Sequence, residues 1–182
     1  GAYDRGITAA EASKFSYELS SLLRRFETCG KPVAAAINGV ALGGGFEVAL
    51  ACHYRVIADE PKAGVGLPEV KIGLLPGGGG TQRVPRLVGV TEALKLITEG
   101  RQLSPADALK KGLVHEVAPT AEIVERARQW ILKGGEGVQP WDKKGFRVPG
   151  GVGQTSPAAA QTFMAGTALT AKSTQRNSTA KC

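Results

Sequence analysis

Hydrophobic and polar positions change their period several times along the chain, and the changes predict alternating helices and strands. From residue 12 to residue 26, apolar side chains recur every three or four positions, which predicts an amphipathic helix. Thr8 and Glu11 stand before this segment with the spacing of an N-terminal capping box. The apolar run 33–37, closed by a turn at residues 38–39, predicts a short buried strand. A helix that leads into a short buried strand is typical of the α/β class.

The middle of the chain continues in the same way. Residues 46–52 are apolar on nearly every side except at Glu47, which predicts a buried helix. Residues 54–58 follow as a predicted strand. Later segments predict helices at 91–99, 104–111 and 121–132, with a strand at 113–117. We therefore expect an α/β fold with helices toward its C-terminal end.

Composition narrows the class of protein. The chain has 182 residues, 42% of them hydrophobic and 21% charged, which is enough for one globular domain with a core. Three cysteines are too few and too dispersed for a disulfide framework or a zinc site, so we expect a reducing, cytoplasmic location. The first residues show no leader pattern, and no apolar run reaches the roughly 20 residues of a membrane span.

The net charge of +7 raises the question of nucleic-acid binding. The basic residues are scattered and are not interleaved with aromatic residues, so a solvated surface explains them more simply. A ligand that carries several phosphates is a further explanation. We expect no nucleic-acid partner.

Two glutamates lie beside glycine-rich turns and are the candidate catalytic residues. Glu47 follows the glycine triplet 43–45, and Glu69 follows Pro68. Glu47 could simply complement the positive end of a helix, or it could exchange protons with a ligand that the glycines allow to approach. Glu69 alone would be an ordinary surface acid, but beside Glu47 it becomes a candidate second carboxylate.

A run of four glycines, residues 77–80, precedes another helical segment. Such a run can bind phosphate, but this one lacks both the Gly-Lys-Ser/Thr ending and the G-x-G-x-x-G pattern, so it is a weak nucleotide motif. His53 and His115 lie in apolar runs without neighbouring ligand-type residues, and we expect both to be structural.

The segments 31–47, 66–69 and 76–83 together resemble the enoyl-CoA hydratase/isomerase (crotonase) superfamily, and the resemblance runs from about residue 1 to residue 132. Residues 51–55 and 140–146 resemble the hydratase part of fused β-oxidation enzymes, which carry a 3-hydroxyacyl-CoA dehydrogenase downstream. The resemblance implies a crotonase-like ββα spiral, incomplete at the N-terminus, over residues 1–133. Residues 134–182 would be a linker-like tail with one helix at 158–171.

The resemblance also implies roles for individual residues. Gly44 would donate one of two backbone N–H groups to the thioester oxygen in an oxyanion hole. Glu47 would activate water for addition at C3, and Glu69 would deliver a proton to C2. No metal and no redox cofactor is implied. The positions that match substrate-binding residues are Ala41, Leu42, Gly43, Leu67, Pro68 and Gly77.

The implied reaction is the hydration of trans-2-enoyl-CoA to 3-hydroxyacyl-CoA in fatty acid β-oxidation. Two alternatives stay open, a Δ3,Δ2-enoyl-CoA isomerase and a catalytically incomplete CoA-binding fragment. Family members carry a segment before the position of Gly1 that supplies the second oxyanion donor, so we expect that donor to lie outside this sequence. The implied partners are an acyl-CoA substrate, further copies of the chain and a fused or separate dehydrogenase.

Overall fold

The computed structural model describes residues 6, 8–153, 156–157, 160–161 and 164. It begins with helix α1, Ala9–Glu27. The Thr8 hydroxyl accepts a hydrogen bond from the Glu11 backbone N–H at 3.3 Å, and the Glu11 carboxylate accepts one from the Thr8 backbone N–H at 2.8 Å. The predicted capping box is therefore confirmed, and the helix begins three residues earlier than its apolar pattern. Most of the helix predicted at 158–171 lies outside the described residues.

Two small three-stranded sheets form the centre of the fold. The first is parallel, with the order β1-β3-β6, where β1 is Ala34–Ile37, β3 is Tyr54–Ala58 and β6 is Glu116–Ala118. The second joins β2, Val40–Leu42, in parallel to β4, Gly64–Gly66, which pairs antiparallel with β5, Gln102–Leu103.

The strand predicted at 113–117 is wrong in position, because β6 begins three residues later. Leu113 and Val114 are buried in the core without being part of a strand. The His115 backbone N–H then donates to the carbonyl of Arg55 at 2.9 Å, and regular pairing with β3 starts at Glu116. The apolar run therefore begins before the strand because Leu113 and Val114 are buried in the core.

Helices cover both sheets. They are α2, Gly44–Ala51; α3, Gly80–Val88; α4, Val90–Glu99; α5, Pro105–Lys110; and α6, Ile123–Leu132, with 3₁₀ turns at Glu69–Ile72 and Pro140–Asp142. As predicted, α2 is largely buried, with Phe46 and Leu50 in the core, although Val48 is exposed. Its core neighbours include Ile57 and Val65, one from each sheet. None of the helices in the described part is long and apolar enough to cross a membrane.

The beginning of the predicted tail packs against the rest of the fold. A side chain at Gly137 would come within 2.8 Å of the carbonyl carbon of Lys31. Gln139 is fully buried, and Asp142 accepts two hydrogen bonds from the guanidinium of Arg24, at 2.6 and 2.9 Å. The division of the chain after residue 133 stays a prediction, but residues 137–142 contact the preceding domain directly.

Candidate active site

The two parallel strands β2 and β4 bring the candidate residues together. Leu42 lies opposite Gly66 in the pairing, and the Gly43 backbone N–H donates to the Gly66 carbonyl at 2.9 Å. The segments that follow these strands leave the sheet at the same end, because parallel strands share the direction of their carboxyl ends. This end therefore places the start of α2 beside the turn that carries Glu69.

Glu47 lies in the first turn of α2 and is almost completely buried, with 2% of its surface exposed. Its Oε2 atom accepts a hydrogen bond from the Gly78 backbone N–H at 2.8 Å, and its Oε1 atom accepts one from the Gly80 N–H at 2.7 Å. Gly80 is the first residue of α3. The carboxylate therefore lies at the positive ends of two helices, its own α2 and the facing α3, where negative charge is favoured.

Two glycines of the run 77–80 are explained by this contact. A Cβ atom at Gly78 would lie 2.6 Å from Glu47 Oε2, and one at Gly80 would lie 3.0 Å from Oε1 and 2.8 Å from Leu67 Cδ1. The backbone can approach the carboxylate only where it carries no side chain. In a phosphate-binding loop, such backbone N–H groups would donate to the ligand. Here the Gly78 and Gly80 N–H groups donate to the side chain of Glu47 instead.

Glu69 begins the 3₁₀ turn that follows β4. Its Oε1 atom lies beside Gly43, where an added Cβ atom would be 3.2 Å away. Its Oε2 atom is buried and has no hydrogen-bond partner among the described residues. Buried polar atoms normally have a partner, so this oxygen is available to water or to a ligand.

The electrostatic environment distinguishes Glu69 further. Burial raises the pKa of its carboxyl above the ordinary value, a hydrogen bond from its own backbone N–H opposes the rise, and the charge of Glu47 adds to it. A carboxyl with a raised pKa retains its proton at higher pH. This direction makes Glu69 a candidate proton donor.

Gly43 and Gly44 form the N-terminal end of α2, the helix that carries Glu47. Gly43 adopts a positive φ of 55° with ψ of −129°, a conformation that favours glycine, and Gly44 is the first residue of α2. The N–H groups of a helix's first turn have no partner within the helix, so the Gly44 N–H can donate to a ligand. An added Cβ atom at Gly44 would meet no atom within 4 Å, so the structure leaves space there.

The other predicted substrate-binding positions surround this point. Ala41 and Leu42 belong to β2, and Leu67 and Pro68 connect β4 to Glu69. Leu67 is buried against Gly80, and Pro68 is half-buried. Gly77 is the first residue of the glycine run, and its carbonyl accepts a hydrogen bond from the Ser16 hydroxyl at 2.8 Å. No ligand role follows from these contacts, so substrate binding by these five residues and by Gly43 stays a prediction.

Two open grooves of about 340 and about 330 Å³ run between α1 and the glycine run. Neither is lined by Glu47 or Glu69. The two glutamates therefore lie outside the grooves, which are a separate feature of the surface.

Several polar residues that sequence reasoning did not single out support the site. Arg83 bonds to Glu27 and to the glycine run, while Arg55 and Gln139 bond to the C-terminal end of α2. These partners are 3 to 87 positions apart in the sequence, and no periodic pattern connects the distant ones. Arg55 could have been noticed in the sequence only because it is a charged residue in an otherwise apolar segment.

The end of α2 remote from the glutamates is closely capped. The Arg55 guanidinium donates to the Cys52 carbonyl at 2.6 Å, and the Gln139 amide donates to the carbonyls of Ala51 and Cys52, both at 3.2 Å. Burial lowers the pKa of Arg55 to about 10, so the side chain stays positively charged at neutral pH. Positive charge at a helix C-terminus is favourable, and these contacts fix the helix that carries Glu47.

Both histidines bond to backbone groups. His53 accepts from the Val33 N–H at 3.1 Å through Nδ1, and its Nε2 lies 3.0 Å from the Glu27 carbonyl. His115 accepts from the Arg55 N–H at 3.1 Å and stacks on Tyr54. Burial, together with the charge of Arg55, lowers the pKa of His115 to about 4. These contacts agree with structural roles.

Comparison with known proteins places the chain in a family. The family model that matches is described as enoyl-CoA hydratase/isomerase and covers residues 2–136. The fatty acid oxidation complex subunit alpha of Shewanella frigidimarina is 48% identical over 130 residues, and that of Shewanella halifaxensis is 50% identical over 127 residues. These matches cover 71% and 70% of this chain, but only 18% of each relative. The chain thus spans less than a fifth of the length of these curated relatives.

Solved structures agree with this result. An enoyl-CoA hydratase from Bacillus anthracis superposes with a TM-score of 0.65 at 40% identity, covering 71% of this chain and 49% of that one. DspI from Pseudomonas aeruginosa gives a TM-score of 0.65 at 35% identity, covering 70% of this chain and 52% of that one. The α/β fold predicted from the sequence, and its crotonase-like character, are confirmed. On its sequence and its fold together, the chain belongs to the enoyl-CoA hydratase/isomerase family.

Proposed function

We propose that Glu47 and Glu69 form the water-adding pair of a 2-enoyl-CoA hydratase that acts in fatty acid β-oxidation. The observation that carries the proposal is the placement of two carboxylates near the N-terminal end of α2, one held by backbone N–H groups and one with a buried oxygen that has no partner among the described residues. The curated relatives named as fatty acid oxidation complex subunits support the pathway.

In the proposed reaction, the Gly44 N–H donates to the thioester oxygen of a trans-2-enoyl-CoA and stabilises negative charge as it develops there. Glu47 takes a proton from water, whose oxygen forms a bond to C3 while the C2=C3 π bond breaks. Glu69 gives its proton to C2. Transfer of the proton from Glu47 to Glu69, directly or through solvent, restores the starting state.

The contacts of Glu47 are compatible with this role. A carboxylate offers about four lone-pair sites, and two backbone N–H groups occupy only two of them. The remaining sites can accept a hydrogen bond from water. Because acid–base groups and backbone donors supply every step, we propose that the reaction needs no metal and no redox cofactor. We further propose that the 3-hydroxyacyl-CoA product passes to a dehydrogenase.

The test is to incubate the purified chain with crotonyl-CoA and to follow the loss of enoyl-thioester absorbance. We expect Glu47→Gln and Glu69→Gln each to lower the rate by about 10²–10⁴-fold, the usual contribution of a general acid or base. Glu125→Gln is the matched control, because Glu125 is an exposed glutamate of α6. Its rate should equal that of the unmodified chain.

Different results separate the alternatives. A rate for Glu69→Gln within about twofold of the control would refute the assigned acid. Conversion of a 3-enoyl-CoA to the 2-enoyl isomer without hydration would favour the isomerase. Binding of CoA without any turnover would favour a catalytically incomplete fragment.

A further inference from the structure

The buried ion pair between Arg83 and Glu27 lies directly behind the glycine run and is not used by the proposed chemistry. Arg83 Nε donates to Glu27 Oε1 at 2.7 Å, and both side chains are nearly inaccessible, with 6% and 2% exposed. Removing two charges from water costs free energy that their attraction often only balances. A pair of this kind is therefore expected to have a positional role beyond stability.

The second contact of Arg83 identifies that role. Its Nη1 atom donates to the Gly78 carbonyl oxygen at 2.7 Å. That carbonyl belongs to the peptide between residues 78 and 79. The peptides on either side of it supply the Gly78 and Gly80 N–H groups that bind Glu47. Three consecutive peptides thus alternate, with the outer two directing N–H groups to Glu47 and the central one directing its oxygen to Arg83.

Gly79 makes this alternation possible. It adopts a positive φ of 102°, in which the chain can turn sharply between the two N–H donors. A side chain at Gly79 would also overlap the Arg83 guanidinium. Gly78 and Gly80 leave space for Glu47, and Gly79 leaves space for Arg83.

Arg83 is itself held from the opposite side. Glu27 receives a second contact from Arg24, at 3.1 Å, and Arg24 forms the two hydrogen bonds to Asp142 described above. The guanidinium of Arg83 is planar and carries separate donors, so it can bond to Glu27 and to the Gly78 carbonyl at once in a fixed geometry. A lysine ammonium lacks that fork.

From these contacts we infer that Arg83, fixed by Glu27, is a positioning residue that holds the 78–79 peptide so that two backbone N–H groups converge on Glu47. The inference rests on the proposed function for its catalytic consequence, but the geometry of the loop is independent of turnover. Arg83 touches neither reacting atom in the proposed reaction and acts through Gly78 and Gly80.

The test compares four proteins as full chains: the unmodified chain, Arg83→Lys, the double variant Arg83→Met/Glu27→Met, and Arg86→Met as control. Arg86 lies on the same helix, and among the described residues it bonds to Gln82, one turn earlier. The double variant removes both buried charges, so no carboxylate is left unpaired in the interior, and such replacements are often neutral for stability.

The first readout is backbone hydrogen exchange of the Gly78 and Gly80 amides, measured by NMR. We expect exchange to be about tenfold faster or more in Arg83→Lys and in the double variant, and unchanged in Arg86→Met, because local opening of the loop becomes easier. Amides of β3 should keep their protection, which distinguishes a moved loop from an unfolded chain. Equal protection of Gly78 and Gly80 in all four proteins would overturn the inference.

The second readout is hydration of crotonyl-CoA. We expect kcat to fall in the two Arg83 variants while KM stays nearly constant, since the loop orients the base and does not bind the substrate. A raised KM with unchanged kcat would contradict a positioning role. If the unmodified chain does not hydrate crotonyl-CoA, the proposed function fails, whereas the exchange measurement still decides the role of Arg83.

Discussion

The two glutamates differ in their hydrogen-bond partners, and this predicts that their amide variants differ in stability. Glu47 accepts a backbone N–H on each oxygen, whereas Glu69 Oε2 has no partner among the described residues. In Glu47→Gln, the new NH2 group must face one of these two N–H groups, and two donors cannot bond to each other. The Gly78 or the Gly80 N–H is then buried without an acceptor.

The magnitude follows from the contacts. One buried donor without a partner costs about 1–3 kcal/mol, and the remaining bond loses its charge assistance, which is worth about 1 kcal/mol. We therefore expect Glu47→Gln to lower the free energy of unfolding by about 2–4 kcal/mol. Glu69→Gln removes no hydrogen bond at Oε2. At a pH equal to the ordinary carboxyl pKa, it should therefore change the free energy of unfolding by less than about 0.5 kcal/mol.

The pH dependence of Glu69→Gln has a definite sign. The pKa of Glu69 is raised in the folded state, so between the unfolded and the folded pKa the folded chain binds more protons than the unfolded chain. The unmodified protein therefore loses stability as the pH rises through that interval, and Glu69→Gln does not. Relative to the unmodified chain, this variant should gain stability as the pH rises from 4.5 through the raised pKa of Glu69.

Urea unfolding, followed by the fluorescence of Trp130 and Trp141, measures both variants at several pH values. Glu125→Gln again serves as the exposed control. A loss below about 0.5 kcal/mol for Glu47→Gln, or equal losses for Glu47→Gln and Glu69→Gln, would refute the argument from the backbone contacts.

Two further predictions concern the residues around α2. Gly80→Ala places a Cβ atom 2.8 Å from Leu67 Cδ1 and 3.0 Å from Glu47 Oε1, so it should destabilise the chain by about 1–3 kcal/mol in urea unfolding. In Gly44→Ala the added Cβ atom meets no atom within 4 Å, so this variant should be as stable as the unmodified chain. It should nevertheless lower the hydration rate if substrate binds there. A loss of stability for Gly44→Ala would contradict the open space at that position. Gln139→Ala removes the buried donor to the Ala51 and Cys52 carbonyls and should lower the free energy of unfolding by about 1–3 kcal/mol. Gln129→Ala, on α6, should lower it much less, because the hydrogen bond of Gln129 to Glu125 is exposed. Equal losses for the two variants would show that the cap on α2 is unimportant.

Much of the fold can be predicted from local patterns. The capping box at Thr8, the apolar character of α2 and the strand β3 all follow from side chains that are neighbours in sequence. The strands β2, β4 and β5 were not predicted, because segments of two or three residues are too short to show alternation. Their pairing comes from tertiary contacts.

In the candidate site, too, some residues can be predicted from local patterns and others depend on tertiary contacts. Glu47 and Glu69 could be singled out because each is an acid in an apolar, glycine-rich context. The reason for the glycines at 78–80 could not be found in this way, since it depends on Glu47 of α2 and Arg83 of α3 packing against the loop. Glu27 was also missed, because its partner Arg83 is 56 positions away and only the packing of α1 against the loop brings them together.

The central claim is that Glu47 and Glu69 add water across the double bond of an enoyl thioester. The most direct measurement is to incubate crotonyl-CoA with the chain in heavy-oxygen water and to locate the label by mass spectrometry. We predict a 3-hydroxyacyl-CoA product that carries the heavy oxygen at C3 with the unmodified chain, and at least about 10²-fold less of this product in the same time with Glu69→Gln. Recovery of crotonyl-CoA without labelled product from the folded, unmodified chain would contradict the claim.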